Sequence, residues 1–325
     1  MTKIAKPLLF VVFFFSLALN ETGANAQTYP NRPIKLVLPY APGGIVDSGG
    51  RLIGKALEAQ LKQPVVPDNR PGAGGVLGTT FVAQSPGDGY TMLFIDPAIA
   101  INASLLKNVS YDLFKDLKVV ATVSTSPLMV VVPPTLPVHN LKELVAYSKS
   151  TEGGISFASA GVGTTTHLAP ELLKLQAGFI GTHVPYRGAG PSMPDVLAGR
   201  IQAVFYSPAA VQAFIDDKRV RAIAQTGATR SQTNPNVPTG MESGFPNFRV
   251  DLWTAVFVPS ATPNSVVERL AAEIKKTVGD PSFRSAMAQI GAEPFYYSGD
   301  EATTFVRKDF EKWADLIRRA KIEGN

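Results

Sequence analysis

Two stretches of this chain share one local design, and that design constrains the fold more than any other feature. In the first, Leu36-Val37-Leu38 is an apolar run and Pro39-Tyr40-Ala41-Pro42-Gly43-Gly44 is a turn. Asp47 then opens a segment with apolar residues at helical spacing: Leu52, Ile53, Ala56, Leu57 and Leu61. In the second, Ile155 to Ala158 run into Ser159-Ala160-Gly161-Val162-Gly163-Thr164-Thr165-Thr166-His167, and a helix over Leu168 to Gln176 is closed by Gly178. A strand that turns through glycine into a helix start is an anion site by construction. The first N–H groups of a helix have no intrahelical acceptor, and the macrodipole puts partial positive charge there. Glycine lets a ligand approach the backbone closely. The two stretches are far apart in sequence, so the chain is expected to carry one such site in each half.

Between and around them the pattern is that of an α/β protein. Strands are expected at Ile34 to Leu38, Val65-Val66, Tyr90 to Ile95, Lys118 to Val123 and Leu128 to Val132, with helices to about Gln63, over Thr79 to Gln84 and over Ile99 to Leu106. Asn140 caps a helix over Leu141 to Lys149. His183 to Tyr186, Ile201 to Tyr206, Val220 to Gln225 and Leu252 to Val258 read as strands, and Pro191 to Ala198 as a helix. Residues 235–248 form a turn-rich segment, and three helices close the chain: Pro263 to Val278, Pro281 to Ile290 and Glu301 to about Lys321. Strand–helix alternation indicates parallel pairing with helices on the faces. A length of 325 residues suits two cores better than one. The expectation is therefore two domains, each a mostly parallel sheet flanked by helices, with a ligand cleft between them. Residues 27–125 plus 252–325 form the first and 126–251 the second, so the chain crosses twice and hinges.

Residues 1–26 read as a signal peptide. Lys3 and Lys6 precede an apolar stretch from Leu8 to Leu19, and Ala24-Asn25-Ala26 is a small-x-small cleavage signal. The mature chain would begin at Gln27, outside the cytoplasm. There is no cysteine, which excludes disulfides, thiolate metal sites and a cysteine nucleophile. The net charge of +5 is spread over small basic groups without interleaved aromatics, a solvated surface and not a nucleic-acid face. Asn69-Arg70-Pro71-Gly72-Ala73-Gly74-Gly75-Val76-Leu77-Gly78 only superficially matches a dinucleotide fingerprint, because Leu77 stands where the third glycine belongs. No cofactor is expected, and His139, His167 and His183 are too scattered to suggest a metal site. No G-x-S-x-G elbow and no H-E-x-x-H motif is present, so a hydrolase is the weaker class.

Taken as a series, the motifs resemble the substrate-binding receptors of tripartite tricarboxylate transporters, the Bug family. They are Tyr29-Pro-Asn-Arg-Pro-Ile34, Pro39-Tyr-Ala-Pro-Gly-Gly44 with Asp47 and Arg51, Asn69-Arg-Pro-Gly-Ala-Gly-Gly75 and Asp88-Gly-Tyr-Thr91. The second half adds Ser159-Ala-Gly-Val-Gly163 with His167, Val184-Pro-Tyr-Arg-Gly188, Leu197-Ala-Gly-Arg200, Val237-Pro-Thr239 and Gly244-Phe-Pro246. The resemblance implies a periplasmic fold that closes on a small carboxylate and delivers it to membrane permease subunits, the receptor itself acting as a monomer. It also implies a carboxylate held by backbone N–H groups, hydroxyls and water. Two residues depart from the family pattern: Ile45 follows Gly44 where a small residue is usual, and Asp96-Pro97 follows the third strand where small residues are usual. Both point away from the usual di- and tricarboxylates and toward a carboxylate with an apolar or aromatic body.

The candidate ligand residues are Tyr40, Pro42, Gly43, Gly44, Ile45 and Asp47 from the first turn, with Asp96 beyond the third strand. From the second half come Ser159, Ala160, Gly161, Gly163, Thr164, Thr165 and His167, then Tyr186, Arg187, Tyr206 and Ser207 at strand ends. Each has a plainer reading. Asp47 is foremost a helix-start residue accepting backbone N–H bonds, and one of Thr164, Thr165 and Thr166 is expected to cap its helix. His167 is more simply a packed helix residue than a base, and Asp96 a turn residue. Arg187 is either a bidentate carboxylate clamp or half of a surface ion pair. A ligand-presenting sensor is the alternative to a transport receptor.

Overall fold

The computed structural model describes Thr2 and residues 29–323. The signal-peptide reading of residues 1–26 and the cleavage after Ala26 lie outside the described residues, Thr2 apart.

The first turn is placed by a short parallel sheet. Strand β1 (Ile34–Leu38) feeds helix α1 (Ile45–Leu61), followed by β2 (Val65–Asn69), a 3₁₀ turn at Ala73–Gly75 and α2 (Val76–Ala83). β3 (Thr91–Ile95) leads into α3 (Ala98–Leu105). β1 pairs in parallel with both β2 and β3, and its residues Ile34, Leu36, Val37 and Leu38 are fully buried, as a strand covered on both faces requires. The carboxyl ends of β1 and β3, and so the starts of α1 and α3, emerge on the same side of the sheet.

The chain then crosses over. β4 (Leu117–Pro127) and β5 (Met129–Val132) lie in different sheets, with Leu128 alone between them. α4 (Leu141–Ser150) starts at Asn140, whose side chain accepts from Glu143 N–H at 2.9 Å. β6 (Ile155–Ser159), α5 (Thr165–Ala177), β7 (Gly181–Pro185), α6 (Ala189–Leu197), β8 (Ala203–Tyr206), α7 (Pro208–Asp216) and β9 (Arg221–Gln225) complete the second unit. β10 (Asp251–Pro259) returns to the first sheet, followed by α8 (Asn264–Gly279), α9 (Pro281–Gln289), β11 (Glu293–Pro294) and α10 (Gly299–Ala320).

Among the described residues the first sheet has the order β11-β4-β10-β3-β1-β2 and the second β7-β6-β8-β5-β9. Both are mixed. Pairing is parallel where strands alternate with crossover helices, and antiparallel where the connecting strands β4, β5 and β10 join in. A strand entering or leaving a sheet at a crossing has no helix to reverse it, so it runs against its neighbours. The tail packs back on the first sheet. Trp253 of β10 and Trp313 of α10 are buried, and their indole N–H groups both donate to Asp309 Oδ2, at 2.9 and 2.8 Å. Among the described residues no helix is long and apolar enough to cross a membrane.

Candidate ligand-binding site

The first glycine turn meets the Arg187–Gly190 segment, and the second meets the Gly72–Gly75 turn, across a closed seam. Ala41 N–H donates to Arg187 O at 3.2 Å, a backbone bond joining the two sheets' units. A methyl group on Gly190 would come within 2.5 Å of Pro42 O, and one on Gly43 within 3.3 Å of Gly190 Cα. Further along, Gly74 abuts Val162 O, and Gly163 abuts Asn102 of α3. Glycine is needed at Gly43, Gly74 and Gly190 because main chain meets main chain, and at Gly163 because the Asn102 side chain fills the space a Cβ would take.

Behind the seam lies a small inner cavity of about 30 Å³. The first unit lines it with Tyr40 and Ala41, the start of α1 (Gly44, Ile45, Val46, Asp47), Asp96 and Leu252. The second contributes Ala160, Thr166, Ala189, Tyr206 and Ser207. These residues mark the N-terminal ends of helices: Gly44 precedes α1, Thr166 lies in the first turn of α5, Ala189 begins α6, and Ser207 precedes α7. None of these four starts is capped by its N-cap side chain. Their free N–H groups and dipoles converge on a space that contains no lysine, arginine or histidine side chain. The positive potential there is carried by main chain.

Acidic residues line the same cavity. Asp47 is fixed by its neighbours: it accepts from Gly43 N–H at 3.3 Å, Arg51 Nε at 3.0 Å and Asn69 Nδ2 at 3.1 Å. Asn69 also donates to Tyr40 O at 2.9 Å, so this network sets the conformation of the first turn. Asp96 is 5% exposed, and its Oδ1 accepts from Tyr40 Oη at 2.9 Å and Ala98 N–H at 3.1 Å. Burial pushes the Asp96 carboxyl up to about 6, only partly offset by the bonds from Ala98 and Tyr40. Burial likewise holds the Tyr40 phenol well above its ordinary value, with Asp96 beside it acting in the same direction.

Tyr40 and Ala160 are shared with an outer cavity of about 250 Å³. Its other walls are the Gly72–Gly75 turn, Gly161 and Val162, and Pro185, Tyr186 and Arg187. Arg187 is exposed and forms no ion pair among the described residues. Tyr186 is held by a hydrogen bond from its hydroxyl to Asp195 Oδ2, and burial and this carboxylate raise its phenol to about 12.

Of the sequence candidates, Tyr40, Gly44, Ile45, Asp47, Asp96, Ala160, Tyr206 and Ser207 line the inner cavity, and Tyr40, Ala160, Gly161, Tyr186 and Arg187 the outer one. Pro42 and Gly43 sit on the seam instead. Ser159, Gly163, Thr164, Thr165 and His167 line neither and build the second turn from behind. Ser159 is fully buried, with Oγ 2.5 Å from His183 Nε2 and 3.0 Å from Gly161 N. His183 stacks on His167 with centroids 3.9 Å apart. Gly163 N–H points to His167 Nδ1 at 3.4 Å. Burial first, then neighbouring charge, pulls His167 down to about 3 and His183 to about 4, so both are neutral supports. Thr164 occupies the N-cap position of α5, but its hydroxyl donates to Gly161 O at 2.7 Å instead of capping. The capping expected of one of the three threonines is therefore spent on the turn: Thr166 Oγ1 accepts from Ala160 N–H at 2.9 Å. Lining residues outside the sequence candidates are Ala41, Val46, Thr166, Ala189 and Leu252 in the inner cavity and the Gly72–Gly75 turn, Val162 and Pro185 in the outer one. For α6 and α7 the signals were present in Gly188-Ala189-Gly190 and in Ser207-Pro208, a serine cap followed by proline. A separate cavity of about 210 Å³ lies at the hinge, where Arg249 and Asp251 pair with each other. It contains none of the convergent helix starts.

Two α/β units joined by crossing strands, with helix starts from both aimed into the cleft, define a solute-binding protein of the periplasmic two-domain type. Residues 50–322 match the family model described as Tripartite tricarboxylate transporter family receptor. The chain is 36% identical over 314 residues to a UPF0065 protein in the tcbD-tcbE intergenic region of a Pseudomonas sp., covering 95% of this chain and 94% of that one. The solved structure of the periplasmic binding protein BugD superposes with a TM-score of 0.87 at 32% identity, covering 91% of this chain and 100% of BugD. R. palustris Rpa4515 with adipate gives a TM-score of 0.87 at 30% identity, covering 91% and 99%. The chain belongs to the tripartite tricarboxylate transporter receptors of the Bug family.

Proposed function

We propose that this protein is an exported receptor, cleaved after Ala26, that captures a small carboxylate by closure of two lobes and delivers it to the permease subunits of a tripartite tricarboxylate-type transporter. The lobes are residues 27–125 with 252–325, and 126–251. The observation that carries this reading is the convergence of four uncapped helix starts, from both lobes, on a cavity without a basic side chain. Such a site favours an anion only when both lobes contribute, so binding and closure are one event. The ligand of the similar R. palustris protein, adipate, is an anion of this class. A cavity of about 30 Å³ holds little more than water, so the lobes part to admit a ligand and re-close around it. Ile45, Tyr40 and Tyr206 give the inner wall an apolar and aromatic face suited to an apolar-bodied carboxylate, and Arg187 stands at the outer cavity.

The protein works without catalysis. The Ser159–His183 contact is the nearest approach to a nucleophile–base pair. Ser159 is fully buried, its hydroxyl is engaged by the turn, and neither residue lines the inner or the outer cavity.

A thermal-shift screen against aliphatic and aromatic carboxylates tests this reading, because a ligand that binds the native state raises Tm. Gly190→Ala is the companion variant. Gly190 sits inside α6, where alanine is the better helix former, yet its methyl group would meet Pro42 O at 2.5 Å in the closed state. The unliganded variant should melt at or above the wild-type temperature and bind at least about tenfold more weakly, about 1.4 kcal/mol. Undiminished affinity in Gly190→Ala would remove closure from the mechanism.

A further inference from the structure

We infer that Asp96 makes this receptor selective for a carboxylate that also carries a hydrogen-bond donor, a hydroxyl or an ammonium, and that it turns away a second carboxylate. The inference rests on the carboxylate-receptor reading and specifies its ligand further. Asp96 is 5% exposed and lines the inner cavity. The bonds its carboxylate accepts from other residues, from Tyr40 Oη and Ala98 N–H, both end on Oδ1. Oδ2 accepts no bond from another described residue, its own main-chain N–H apart, so this carboxylate, which lines the cavity, keeps acceptor capacity for a ligand. The other cavity-lining acid differs in this respect, since Asp47 is engaged by Gly43, Arg51 and Asn69.

A buried carboxylate is costly unless donors meet it, and a second anion beside it costs more. With no lysine, arginine or histidine among the cavity residues, nothing there would offset two facing carboxylates. The convergent helix starts satisfy one carboxylate of the ligand. The group that meets Oδ2 must then donate. Arg187 lies in the outer cavity and does not neutralise this position.

The test is a titration series by calorimetry at pH 7.5, with straight-chain acids of three to eight carbons. At each length the plain acid, the diacid, and the acids bearing a hydroxyl or an amine at the 2-position or the far end are compared. Wild type should bind at least one donor-bearing acid about tenfold or more tighter than the plain acid and the diacid of the same length. Asp96→Asn is close to isosteric: Oδ1 still accepts from Tyr40 and Ala98, while an amide N–H₂ replaces Oδ2. That variant should lose the preference and gain affinity for the diacid. A wild-type ranking led by plain acids or diacids, or a ranking unchanged in Asp96→Asn, overturns the inference and leaves the carboxylate receptor standing. If no acid of the series raises Tm or gives heat, the carboxylate reading falls and this inference falls with it.

Discussion

Asp96 and the glycines of the seam show how much of the site is decided one residue at a time. Asp96 is a buried carboxyl whose ionisation works against folding. Its folded-state carboxyl is raised to about 6 by burial, above its ordinary value of 3.8. The folded chain therefore holds this proton more tightly than the unfolded one. The group's contribution is fully present below about pH 4 and is lost as pH rises through 6, a loss of roughly 3 kcal/mol at neutral pH. Asp96→Asn should be more stable than wild type by about 1–3 kcal/mol at pH 7.5, and the advantage should shrink toward zero by pH 4. Urea denaturation of both proteins across that range measures it. His167 and His183 also titrate against folding in acid, but they are common to both proteins and cancel in the difference. Equal stabilities at pH 7.5 would mean that burial of Asp96 carries no such cost.

At the level of elements, the strand–turn–helix units at 34–61 and 155–177 were legible because apolar spacing, paired glycines and a helix-start residue coincide within a few residues. Asn140 and Gly178 likewise marked the ends of α4 and α5, where their local chemistry acts alone. The two-residue β11 was not legible, and α7 went unread although Ser207-Pro208 marks its start. β11 exists only because it meets the edge of β4, and α7 is a short helix of nine residues. The two crossings were expected, but the residue that ties them together could not be read, since it joins sequence-distant backbones. Thr226 is fully buried between the two crossings. Its hydroxyl accepts from Leu128 N–H at 2.9 Å and donates to Val250 O at 2.5 Å. Its own N–H and C=O reach the same two residues, at 2.9 and 3.0 Å. Thr226→Val keeps the shape and removes the hydroxyl, leaving two buried main-chain groups without that partner. It should cost about 2–4 kcal/mol in the urea midpoint with little change in slope, while Thr226→Ser stays much closer to wild type. A valine variant as stable as wild type would show that these crossings do not depend on the side chain.

For the whole molecule the closure mechanism proposed above requires the lobes to separate, since the seam holds Pro42 O against Gly190 and Val162 O against Gly74. The geometry supplies a direct way to hold it shut. A Cβ built on Gly44 lies 4.0 Å from Ala189 Cβ across the seam, within the range of about 3.5–4.5 Å that a disulfide spans. Gly44 has φ −114°, a value any residue adopts, so cysteine is accommodated without backbone strain. The chain has no cysteine of its own, so a Gly44→Cys, Ala189→Cys pair has no competing thiol. Oxidised, the pair closes a loop of well over a hundred residues and should add about 4–5 kcal/mol to stability, seen as a raised Tm that a reductant reverses. Ligand entry should slow by at least about a hundredfold in the oxidised, unliganded protein, because opening would require breaking the bond. Stopped-flow binding before and after reduction reads the effect, and protein oxidised with ligand already inside should fail to release it. Both expectations follow only if opening is obligatory. Normal entry into a cross-linked protein would place the route to the site elsewhere, with the outer cavity past Tyr40 as the remaining path.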